Sequence, residues 1–363
     1  MSTVLSITTD RKRGGIATAL ASYSAALGMR GHDHIVLLPS GAVALGALCD
    51  MPGVTHITMP PAMIRFHLLT GGLFSRQLRV AMKRANLLFI HNANLVPLSR
   101  RFGKAVCLIS HSGKLRHLSA ADHAIFLSRA AAARAENLAD TGRPYVPPLH
   151  IIPHGFPAYD RIPTPNNGKG RLRVMAAGRF VPKKGFETLL KAAHILQDRQ
   201  LSICFDLYGD GPLQPVLANM INQLGLQNVK LHGWAPTLDR AFADADIFCL
   251  PSVEEPFGLV IGEAMGRGLP MVATCTDGPL DVLGLNGIRR DQTLPLGGLL
   301  TKPGDPVSLA DALASFADDR SRISMAGEAA RRRIVTDFGM EALADRLNQL
   351  IATASHPPQA APS

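Results

Sequence analysis

Short apolar runs alternate with longer amphipathic segments along almost the whole chain, and this alternation most constrains the fold. In the first half, the pattern predicts helices at 16–30 and 129–139 and strands at 4–8, 34–38, 87–91, 105–111, 124–127 and 150–153. Strands separated by helices pair in parallel, because each helix carries the chain back across the sheet. The first half therefore predicts an α/β domain with a parallel sheet.

The second half repeats the pattern after residues 155–170, a stretch rich in Pro, Asn and Gly, as interdomain linkers are. A strand followed by a turn is predicted over 172–185, further strands at 203–208, 229–232, 247–250 and 270–273, and helices at 186–197, 213–224, 238–243, 306–316, 320–335 and 340–354. We therefore expect two domains, 1–165 and 166–335, whose sheets face a central cleft. The last residues, 355–363, have the composition of a disordered tail.

Length and composition fit two domains in a cytoplasmic protein. The chain has 363 residues and 47% hydrophobic content, which is enough for two cores. No apolar run approaches the roughly 20 residues that span a bilayer, and the first residues lack the apolar core of a signal peptide. The five cysteines are scattered, without a CxxC pair, as in reduced proteins. We expect a soluble protein, or one bound peripherally at the inner face of the membrane.

The positive charge is concentrated in one window. Residues 51–121 hold ten Lys or Arg and no Asp or Glu. Of the 38 basic residues this leaves 28 elsewhere, against 28 acidic residues, so the window carries the whole net charge of +10. Such a window requires an anionic partner, and the candidates are a phospholipid surface, a lipid-linked or phosphorylated acceptor, or nucleic acid.

Apolar residues are interleaved with part of this window. Segment 61–88 alternates Met, Ile, Phe and Leu with five cations, which are Arg65, Arg76, Arg79, Lys83 and Arg84. The pattern is typical of an interfacial helix, and it makes these cations candidates for binding the membrane or the acceptor. It equally fits an amphipathic helix that packs its apolar stripe on the core and leaves the basic face in water. The sequence leaves both open.

Residues 250–268, LPSVEEPFGLVIGEAMGRG, contain the pattern with the most chemical content. Glu255 and Glu263 flank the turn Phe257-Gly258-Leu259, which follows a strand and precedes a helix. Backbone N–H groups at the helix start can bind a diphosphate. Glu263, further along the helix, can accept hydrogen bonds from ribose hydroxyls, and Glu255 lies nearer a sugar.

Further motifs follow predicted strands, each at its carboxyl end. They are Gly14-Gly15 after strand 4–8, Gly178-Arg179 with Lys183-Lys184 in the turn of 172–185, Tyr208-Gly209-Asp210-Gly211, and His232-Gly233-Trp234. In this order they resemble the retaining GT-B glycosyltransferases of family 4, the glycogen-synthase-like group, and the resemblance covers nearly the whole chain. It implies the GT-B fold, with two Rossmann-like domains and a last helix, 336–354, that packs back on the first domain.

The resemblance also implies roles for single residues. Arg179 and Lys184 would bind the donor diphosphate, and Lys183 leaves the register open by one. Glu255 and His111 would contact the sugar and complete the catalytic group. The donor would further meet Gly14, Gly15, Gly209, Trp234, Phe257, Gly258, Leu259 and Glu263. Several of these residues also have an ordinary structural explanation: Arg179 and Lys184 as surface cations, the two glutamates as a solvated pair, His111 as a packed histidine, and Gly14-Gly15 as a steric turn.

Two further motifs concern the metal requirement and the sugar-binding edge. Asp244-Ala245-Asp246 fits the Asp-x-Asp motif of metal-dependent transferases, but it precedes a strand rather than facing donor phosphates. We therefore expect no essential metal and no cofactor. Thr276-Asp277-Gly278-Pro279 replaces the Gly-Gly-x-x-Glu pattern of the family, and His154 stands where the family often has Asn, so the sugar-binding edge is expected to differ.

Together with these observations, the resemblance to family 4 implies a retaining, metal-independent hexosyltransferase. It would move a sugar from a nucleoside-diphosphate sugar to a lipid-linked or polysaccharide acceptor of the cell-envelope or lipopolysaccharide type. Other GT-B reactions, such as nucleotide-sugar epimerisation or an inverting transfer, are alternatives, as is a non-catalytic binding protein of the same fold. Nucleic acid is not expected as a partner, because aromatic content is only 5% and aromatic residues are not interleaved with basic ones.

Overall fold

The computed structural model of the protein describes residues 1–12, 14–111, 115–137, 145–159, 170–284 and 297–354. The chain divides into two units, Met1–Gly155 with Met340–Ser363 and Phe156–Gly339. Most of the predicted linker, 160–169, and the predicted tail, 355–363, lie outside the described residues.

Seven parallel strands form one sheet in the described part of the first unit. They are β1 (Thr3–Ile7), β2 (Asp33–Pro39), β3 (Val54–Met59), β4 (Leu87–Ile90), β5 (Ala105–Ser110), β6 (His123–Phe126) and β7 (Leu149–Ile151). Their order is β3-β2-β1-β4-β5-β6-β7. Strands β1, β4 and β5 are buried along their whole length, which explains their continuous apolar sequences.

The helices of the first unit pack against this sheet. They are α1 (Gly15–Met29), α2 (Ala44–Leu48), α3 (Pro61–Leu69), α4 (Arg76–Arg84), α5 (Val96–Ser99) and α6 (Arg129–Glu136). The predicted interfacial helix over 61–88 is two helices, because Gly71 and Gly72 follow α3 with φ of +64° and +76°. Ser75 then begins α4 by accepting a hydrogen bond from the backbone N–H of Leu78 at 3.2 Å.

Six parallel strands form the sheet of the second unit within its described residues. They are β8 (Leu172–Ala177), β9 (Ile203–Tyr208), β10 (Val229–Gly233), β11 (Ile247–Leu250), β12 (Met271–Thr274) and β13 (Gly298–Thr301), in the order β10-β9-β8-β11-β12-β13. The helices are α7 (Phe186–Asp198), α8 (Gln214–Gln223), α9 (Asp239–Asp244), α10 (Leu259–Gly266), α11 (Asp277–Leu283), α12 (Pro306–Asp318) and α13 (Ser321–Asp337). Helices α7, α8 and α12 bury Leu189, Leu217 and Leu313 against one face of the sheet.

The last helix, α14 (Met340–Ala354), belongs to the first unit and packs on α1. Its buried face contributes Leu343, Leu347 and Leu350 to a cluster that includes Tyr23 of α1. At the rim, the Arg30 guanidinium bonds to Glu341 and Asp345 at 2.6 and 2.7 Å. An apolar face and a charged edge thus hold α14 to the first unit.

Both sheets reverse their strand order near the middle. In the first sheet the chain proceeds outward from β1 to β2 and β3, and from β4 in the other direction. In the second sheet the same reversal separates β8 from β11. The loops that leave the carboxyl ends of two such strands diverge and open a crevice, which is where α/β sheets bind ligands. Among the described residues, no helix is long and apolar enough to cross a membrane.

Candidate functional site

Backbone hydrogen bonds lock the loops at the carboxyl edge of the second sheet together. The Phe180 N–H, after β8, bonds to the Asp210 carbonyl, after β9, at 2.6 Å, and the Leu213 N–H returns a bond to the Phe180 carbonyl at 3.1 Å. The Gly209 N–H bonds to the Gly233 carbonyl, at the end of β10, at 2.8 Å. The motifs that follow three predicted strands therefore lie side by side.

Three glycines make this close approach possible. A Cβ on Gly209 would lie 1.9 Å from the Gly178 carbonyl oxygen, and one on Gly185 would lie 2.0 Å from the Pro251 carbonyl oxygen. On Gly211 it would lie 2.5 Å from the Phe180 carbonyl oxygen. Their φ angles of +145°, +67° and +149° are also unfavourable for other residues. Glycine is therefore required sterically at all three positions.

The loop after β8 also binds the loop after β11. The Lys183 carbonyl accepts hydrogen bonds from the N–H groups of Val253 and Glu254, at 2.8 and 3.2 Å. This pairing spans the point where the strand order reverses, and it brings Lys184 beside Glu255. The two residues come from different motifs, so their contact could not be derived from either motif alone.

Lys184 and Glu255 form an ion pair at this edge. The Lys184 ammonium bonds to one carboxylate oxygen of Glu255, and the Ser252 hydroxyl donates to the same oxygen at 3.2 Å. Glu255 is only 7% exposed, so its negative charge is buried with a positive partner. Lys183, in contrast, is exposed. The structure thus places Lys184, and not its neighbour, against the glutamate.

Arg179 stands beside this pair as a second cation of the same loop. Its side chain is exposed, although the adjacent Phe180 is fully buried. Among the described residues, no acceptor binds its guanidinium. The planar, bidentate donor of an arginine suits a phosphate group.

Helix α10 begins directly after the loop that holds Glu255. Gly258 precedes it with φ of +85°, and Leu259 is its first residue. Within the described chain, no carbonyl accepts from the N–H groups of these two residues, so both can donate to an anion. The Phe257 ring is buried and stacks on Phe156, with centroids 6.1 Å apart. A ligand would therefore meet the backbone of Phe257 rather than its ring.

Glu263 lies on α10, in the turn after these donors. Burial raises the pKa of its carboxyl group, the nearby Arg267 opposes that effect, and Asp239 adds to it. The Arg267 guanidinium stacks on the Tyr159 ring at 3.8 Å and donates to the backbone carbonyl of Glu263 at 3.0 Å. In the part of the chain that the structure describes, no donor binds the Glu263 carboxylate. It is available to accept hydrogen bonds from hydroxyl groups.

The predicted base-binding residues lie on the other side of Arg179. Gly209 follows β9, and Trp234 follows β10 with half of its surface exposed, at 50%. Beside them the rings of Tyr208 and His232 stack at 4.4 Å, and His232 Nε2 contacts Asp206 Oδ1 at 2.6 Å. This edge offers exposed aromatic and backbone surface.

The Asp-x-Asp motif lies at the opposite edge of the second sheet. Asp246 immediately precedes β11, where its carboxylate accepts from the Arg173 backbone N–H at 2.8 Å and lies 3.7 Å from Arg320. These contacts assign Asp246 a structural role. Among the described residues, no group of three potential metal ligands occurs.

In the first unit, Gly14 and Gly15 follow β1 at the carboxyl edge of the sheet. Gly14 has φ of +153°, and α1 begins at Gly15. The same loop is tied to the loop after β4, because Asn92 Oδ1 accepts from the Thr9 backbone N–H at 2.7 Å. The Gly-Gly loop therefore stands at the point where the first sheet reverses its strand order.

His111 follows β5 at the same edge, within a group of buried histidines. Its Nε2 lies 2.9 Å from Nδ1 of His91, and its ring stacks between His91 and His154, with centroids 5.1 and 6.2 Å apart. Burial lowers the pKa of His111 to about 4 and that of His154 to about 3, so these rings are neutral. The motifs single out His111, and His154 only as a departure from the family pattern, because three separate loops supply the group and their contact is not visible in the sequence.

The five predicted surface cations, Arg65, Arg76, Arg79, Lys83 and Arg84, are all exposed on α3 and α4. The same helices bury Ile64, Leu68 and Leu78 in the core, as the packing alternative predicted. Other apolar residues remain exposed, namely Met63, Phe66, Leu69, Leu73, Phe74 and Val80, at 40% to 70%. We name these cations and exposed apolar residues the α3–α4 surface.

Known structures share this architecture. The chain is similar to Anabaena Alr3699/HepE in complex with UDP and glucose, with a TM-score of 0.75 and 20% identity, over 96% of this chain and 99% of that one. The fold is GT-B. Two parallel-sheet, Rossmann-like domains make up this GT-B chain, which confirms the predicted fold class.

The second half of the GT-B chain also matches a sequence family. Residues 161–333 match the family model described as glycosyl transferases group 1. The lipopolysaccharide core biosynthesis glycosyltransferase LpsE of Rhizobium meliloti is 32% identical over 50% of this chain and 49% of its own length. The MMP alpha-(1->4)-mannosyltransferase of Mycolicibacterium hassiacum is 29% identical over 54% of this chain and 46% of its own. The similarity thus spans about half the length of these relatives.

Proposed function

We propose that the protein is a retaining hexosyltransferase of family 4 that transfers a sugar from a nucleoside-diphosphate sugar to a cell-envelope glycan acceptor. The observation that carries this proposal is the edge between β8 and β11. The loops at this edge contain the Lys184–Glu255 pair and Arg179, whose guanidinium binds no acceptor among the described residues, and helix α10 follows with Glu263, whose carboxylate binds no donor there. The cations and backbone N–H groups suit the diphosphate of a nucleoside-diphosphate sugar, and the carboxylate suits its hydroxyl groups.

Each part of the donor has a proposed partner. Arg179 and Lys184 neutralise the diphosphate as the bond to the sugar breaks, and Gly258 and Leu259 donate their N–H groups to it. Lys184 can serve both the diphosphate and Glu255, because its ammonium has three donors. The second carboxylate, Glu263, accepts from the ribose hydroxyls.

The remaining contacts complete the proposed donor site. Glu255 accepts hydrogen bonds from the sugar, while Gly209 and Trp234 border the base. Gly14, Gly15 and His111, at the carboxyl edge of the first sheet, remain proposed donor contacts. The leaving diphosphate is stabilised by fixed cations and backbone amides, so we propose that the reaction needs no metal ion. Retention of configuration is part of the same proposal and rests on the resemblance to family 4.

The relatives support the type of donor and acceptor. One acts in lipopolysaccharide core biosynthesis and another is a mannosyltransferase, while the structure of HepE contains UDP and glucose. We therefore propose a hexose carried by a nucleoside diphosphate, and a lipid-linked or polysaccharide acceptor of the lipopolysaccharide type.

A transfer assay tests this proposal. Purified protein is incubated, with EDTA present, with UDP-glucose, UDP-galactose, GDP-mannose or ADP-glucose and with truncated lipopolysaccharide cores. We expect one donor to release its nucleoside diphosphate and to yield an α-linked product by NMR, and Glu255→Gln to reduce that rate by roughly 10²-fold or more. A β-linked product would refute retention. No release from any donor–acceptor pair would contradict the enzyme proposal and favour a non-catalytic GT-B binding protein.

We further propose that the α3–α4 surface binds an anionic membrane at its inner face, where a lipid-linked acceptor would be found. This surface has five exposed cations and six exposed apolar side chains within residues 63–84, and the rings of Phe66 and Phe74 stack at 5.6 Å. Cations attract anionic headgroups, and apolar side chains insert between them. Residues 51–121 contain no Asp or Glu that would repel an anionic headgroup, and the nearby carboxylate of Asp33 is paired with Arg84 at 3.1 Å.

Vesicle sedimentation tests the α3–α4 surface. Binding to phosphatidylglycerol vesicles is expected to exceed binding to phosphatidylcholine vesicles and to weaken as salt increases. The double substitution Leu73→Ser and Phe74→Ser should reduce binding strongly. The matched control replaces Val216 and Val307 of the second unit, which are 47% and 51% exposed, with Ser. Equal loss in both double variants would contradict the proposed surface.

A further inference from the structure

Five polar side chains of the first unit form a row that ends at His111. Ser24 belongs to α1, His34 to β2 and Ser6 to β1, while His91 and His111 directly follow β4 and β5. The sheet order is β2-β1-β4-β5, so the row crosses four neighbouring strands at the point where the order reverses. We name this row the histidine relay.

Hydrogen bonds connect the relay without a break. Ser24 Oγ lies 2.7 Å from His34 Nδ1, and His34 Nε2 lies 2.7 Å from Ser6 Oγ. Ser6 Oγ lies 3.3 Å from His91 Nε2, and His91 Nδ1 lies 2.9 Å from His111 Nε2. Each contact needs one proton, which must come from one of its two partners.

The first residue of the relay fixes the direction of every bond. The Ser24 hydroxyl donates to the carbonyl one turn earlier in α1 at 2.8 Å, so it must accept from Nδ1–H of His34. A neutral His34 then accepts at Nε2 from the Ser6 hydroxyl. Ser6 in turn accepts from Nε2–H of His91, which leaves His91 Nδ1 to accept from Nε2–H of His111.

These hydrogen-bond directions hold only if the histidine rings are neutral. Burial of the rings keeps them neutral. His34 and His91 are 1% and 4% exposed. Burial lowers the pKa of His34 to about 3 and that of His111 to about 4, and it lowers the pKa of His91 well below its usual value, with His111, His34 and His154 adding to the effect. Each ring therefore carries one proton at neutral pH.

We infer that Ser24, His34, Ser6 and His91 are positioning residues that hold His111 in its Nε2–H tautomer, with Nδ1 as a lone-pair acceptor. Among the described residues, His111 Nδ1 is buried and has no hydrogen-bond partner. A neutral ring with an acceptor nitrogen suits a substrate hydroxyl and not a phosphate oxygen, which is itself an acceptor. This inference rests on the proposed function, because it specifies how His111 would meet a sugar rather than the diphosphate.

Nitrogen-15 spectra of the histidine rings test the tautomers directly. Single substitutions assign the signals, and the spectra are recorded at pH 7. We expect His91 and His111 to be protonated at Nε2 and His34 at Nδ1. Protonation of His111 at Nδ1, or an equal mixture of its tautomers, would overturn the inference.

Variants separate the relay from general packing. His91→Gln keeps the relay, since its carboxamide oxygen accepts from His111 and its NH₂ donates to Ser6, whereas His91→Phe interrupts it. We expect the His111 tautomer to be preserved in the Gln variant and mixed in the Phe variant. The control is His123→Phe, since His123 also pairs with a histidine, His150 at 3.2 Å. An equal effect of both Phe substitutions on His111 would refute the relay.

Kinetics then connect the relay to turnover. His91→Phe should lower kcat/KM by roughly 10- to 100-fold, while His91→Gln retains most of it. If His91→Phe does not fold, Ser24→Ala replaces it, and a mixture of His111 tautomers is expected there because the anchor of the relay is lost. An unchanged His111 tautomer in Ser24→Ala would contradict the inference. If the wild-type protein transfers no sugar, the proposed function fails, and the ring spectra still decide whether the relay exists.

Discussion

Lys184 and Glu255 depend on each other for their burial. The Glu255 carboxylate is 7% exposed and receives only the Lys184 ammonium and the Ser252 hydroxyl among the described side chains. Burying a carboxylate without its cation costs free energy, because the group loses its hydration and gains no compensating charge. Lys184 therefore serves two purposes: it stabilises the fold by pairing with Glu255, and it is a proposed ligand of the diphosphate.

Replacing Lys184 should accordingly destabilise the protein as well as inactivate it. Lys184→Met is expected to lower the free energy of unfolding by about 2 kcal/mol, below the usual figure for a fully buried pair because the lysine is partly exposed. Lys183→Met, its exposed neighbour, should change it by less than about 0.5 kcal/mol. Urea denaturation of both variants measures the difference. Equal effects of the two substitutions would show that the Lys184–Glu255 pair does not stabilise the fold.

The element that positions this pair is the loop between β8 and α7. It passes so close to the end of β11 that Gly185 has no room for a side chain. Its 3₁₀ turn, Pro182–Lys184, ends at Gly185, which also precedes α7. The loop geometry, and not only the charges, determines where Lys184 lies.

Gly185→Ala tests this geometry against a matched glycine. Gly225 has a similar φ, +61° against +67°, but its added Cβ would meet open space. We expect Gly225→Ala to cost about 1 kcal/mol for the backbone conformation alone. Gly185→Ala should cost roughly 1–3 kcal/mol more, since the Pro251 carbonyl must move. Similar thermal denaturation midpoints for both variants would show that the close approach is unimportant.

The elements that the sequence predicts well are those whose residues are buried on both faces. Strands β4, β5 and β11 are continuous apolar runs, and their predicted limits agree with the structure to within one residue. Strand β3 was missed because, at the sheet edge, only Ile57 of its six residues is buried. The four-residue strand β13 was missed because it is short and begins with glycine.

The site itself could be predicted in its parts but not in its contacts. The Glu255 loop and the Lys183-Lys184 turn are visible as motifs, because each follows an apolar strand. Their ion pair depends on the order of β8 and β11 in the sheet, which local sequence does not encode. The contacts of His91 with Ser6 and His111 likewise join three strands that are distant in the chain.

At the scale of the whole molecule, buried neutral histidines make stability depend on pH. His34, His91, His111 and His154 lie together in the first unit, and the ring of Tyr23 in α1 packs near those of His91 and His154. Their pKa values are lowered in the folded state, whereas in the unfolded chain they titrate near the usual value of about 6.5. Below that pH the unfolded chain binds more protons than the folded one, so acid favours unfolding.

The free energy of unfolding should therefore be constant with respect to these groups above about pH 7 and fall as the pH drops from about 6.5 toward 4. Each of these histidines contributes up to about 1.4 kcal/mol per pH unit in that window. His154→Asn should reduce the dependence of the free energy of unfolding on pH by the contribution of one histidine. Urea denaturation at pH 7.5, 6.5 and 5.5 measures it, and the same slope in wild type and variant would exclude His154 as a contributor.

The proposed donor site requires that the carboxyl edge of the second sheet bind a nucleoside diphosphate. Calorimetric titration with UDP, GDP and ADP in EDTA tests it most directly, on the wild-type protein and on Arg179→Ala, Glu263→Ala and the control Lys183→Ala. We predict that one nucleotide binds, that Arg179→Ala and Glu263→Ala each weaken binding by roughly tenfold or more, and that the control does not. Binding of no nucleotide, or equal affinity in all three variants, would contradict the proposed site.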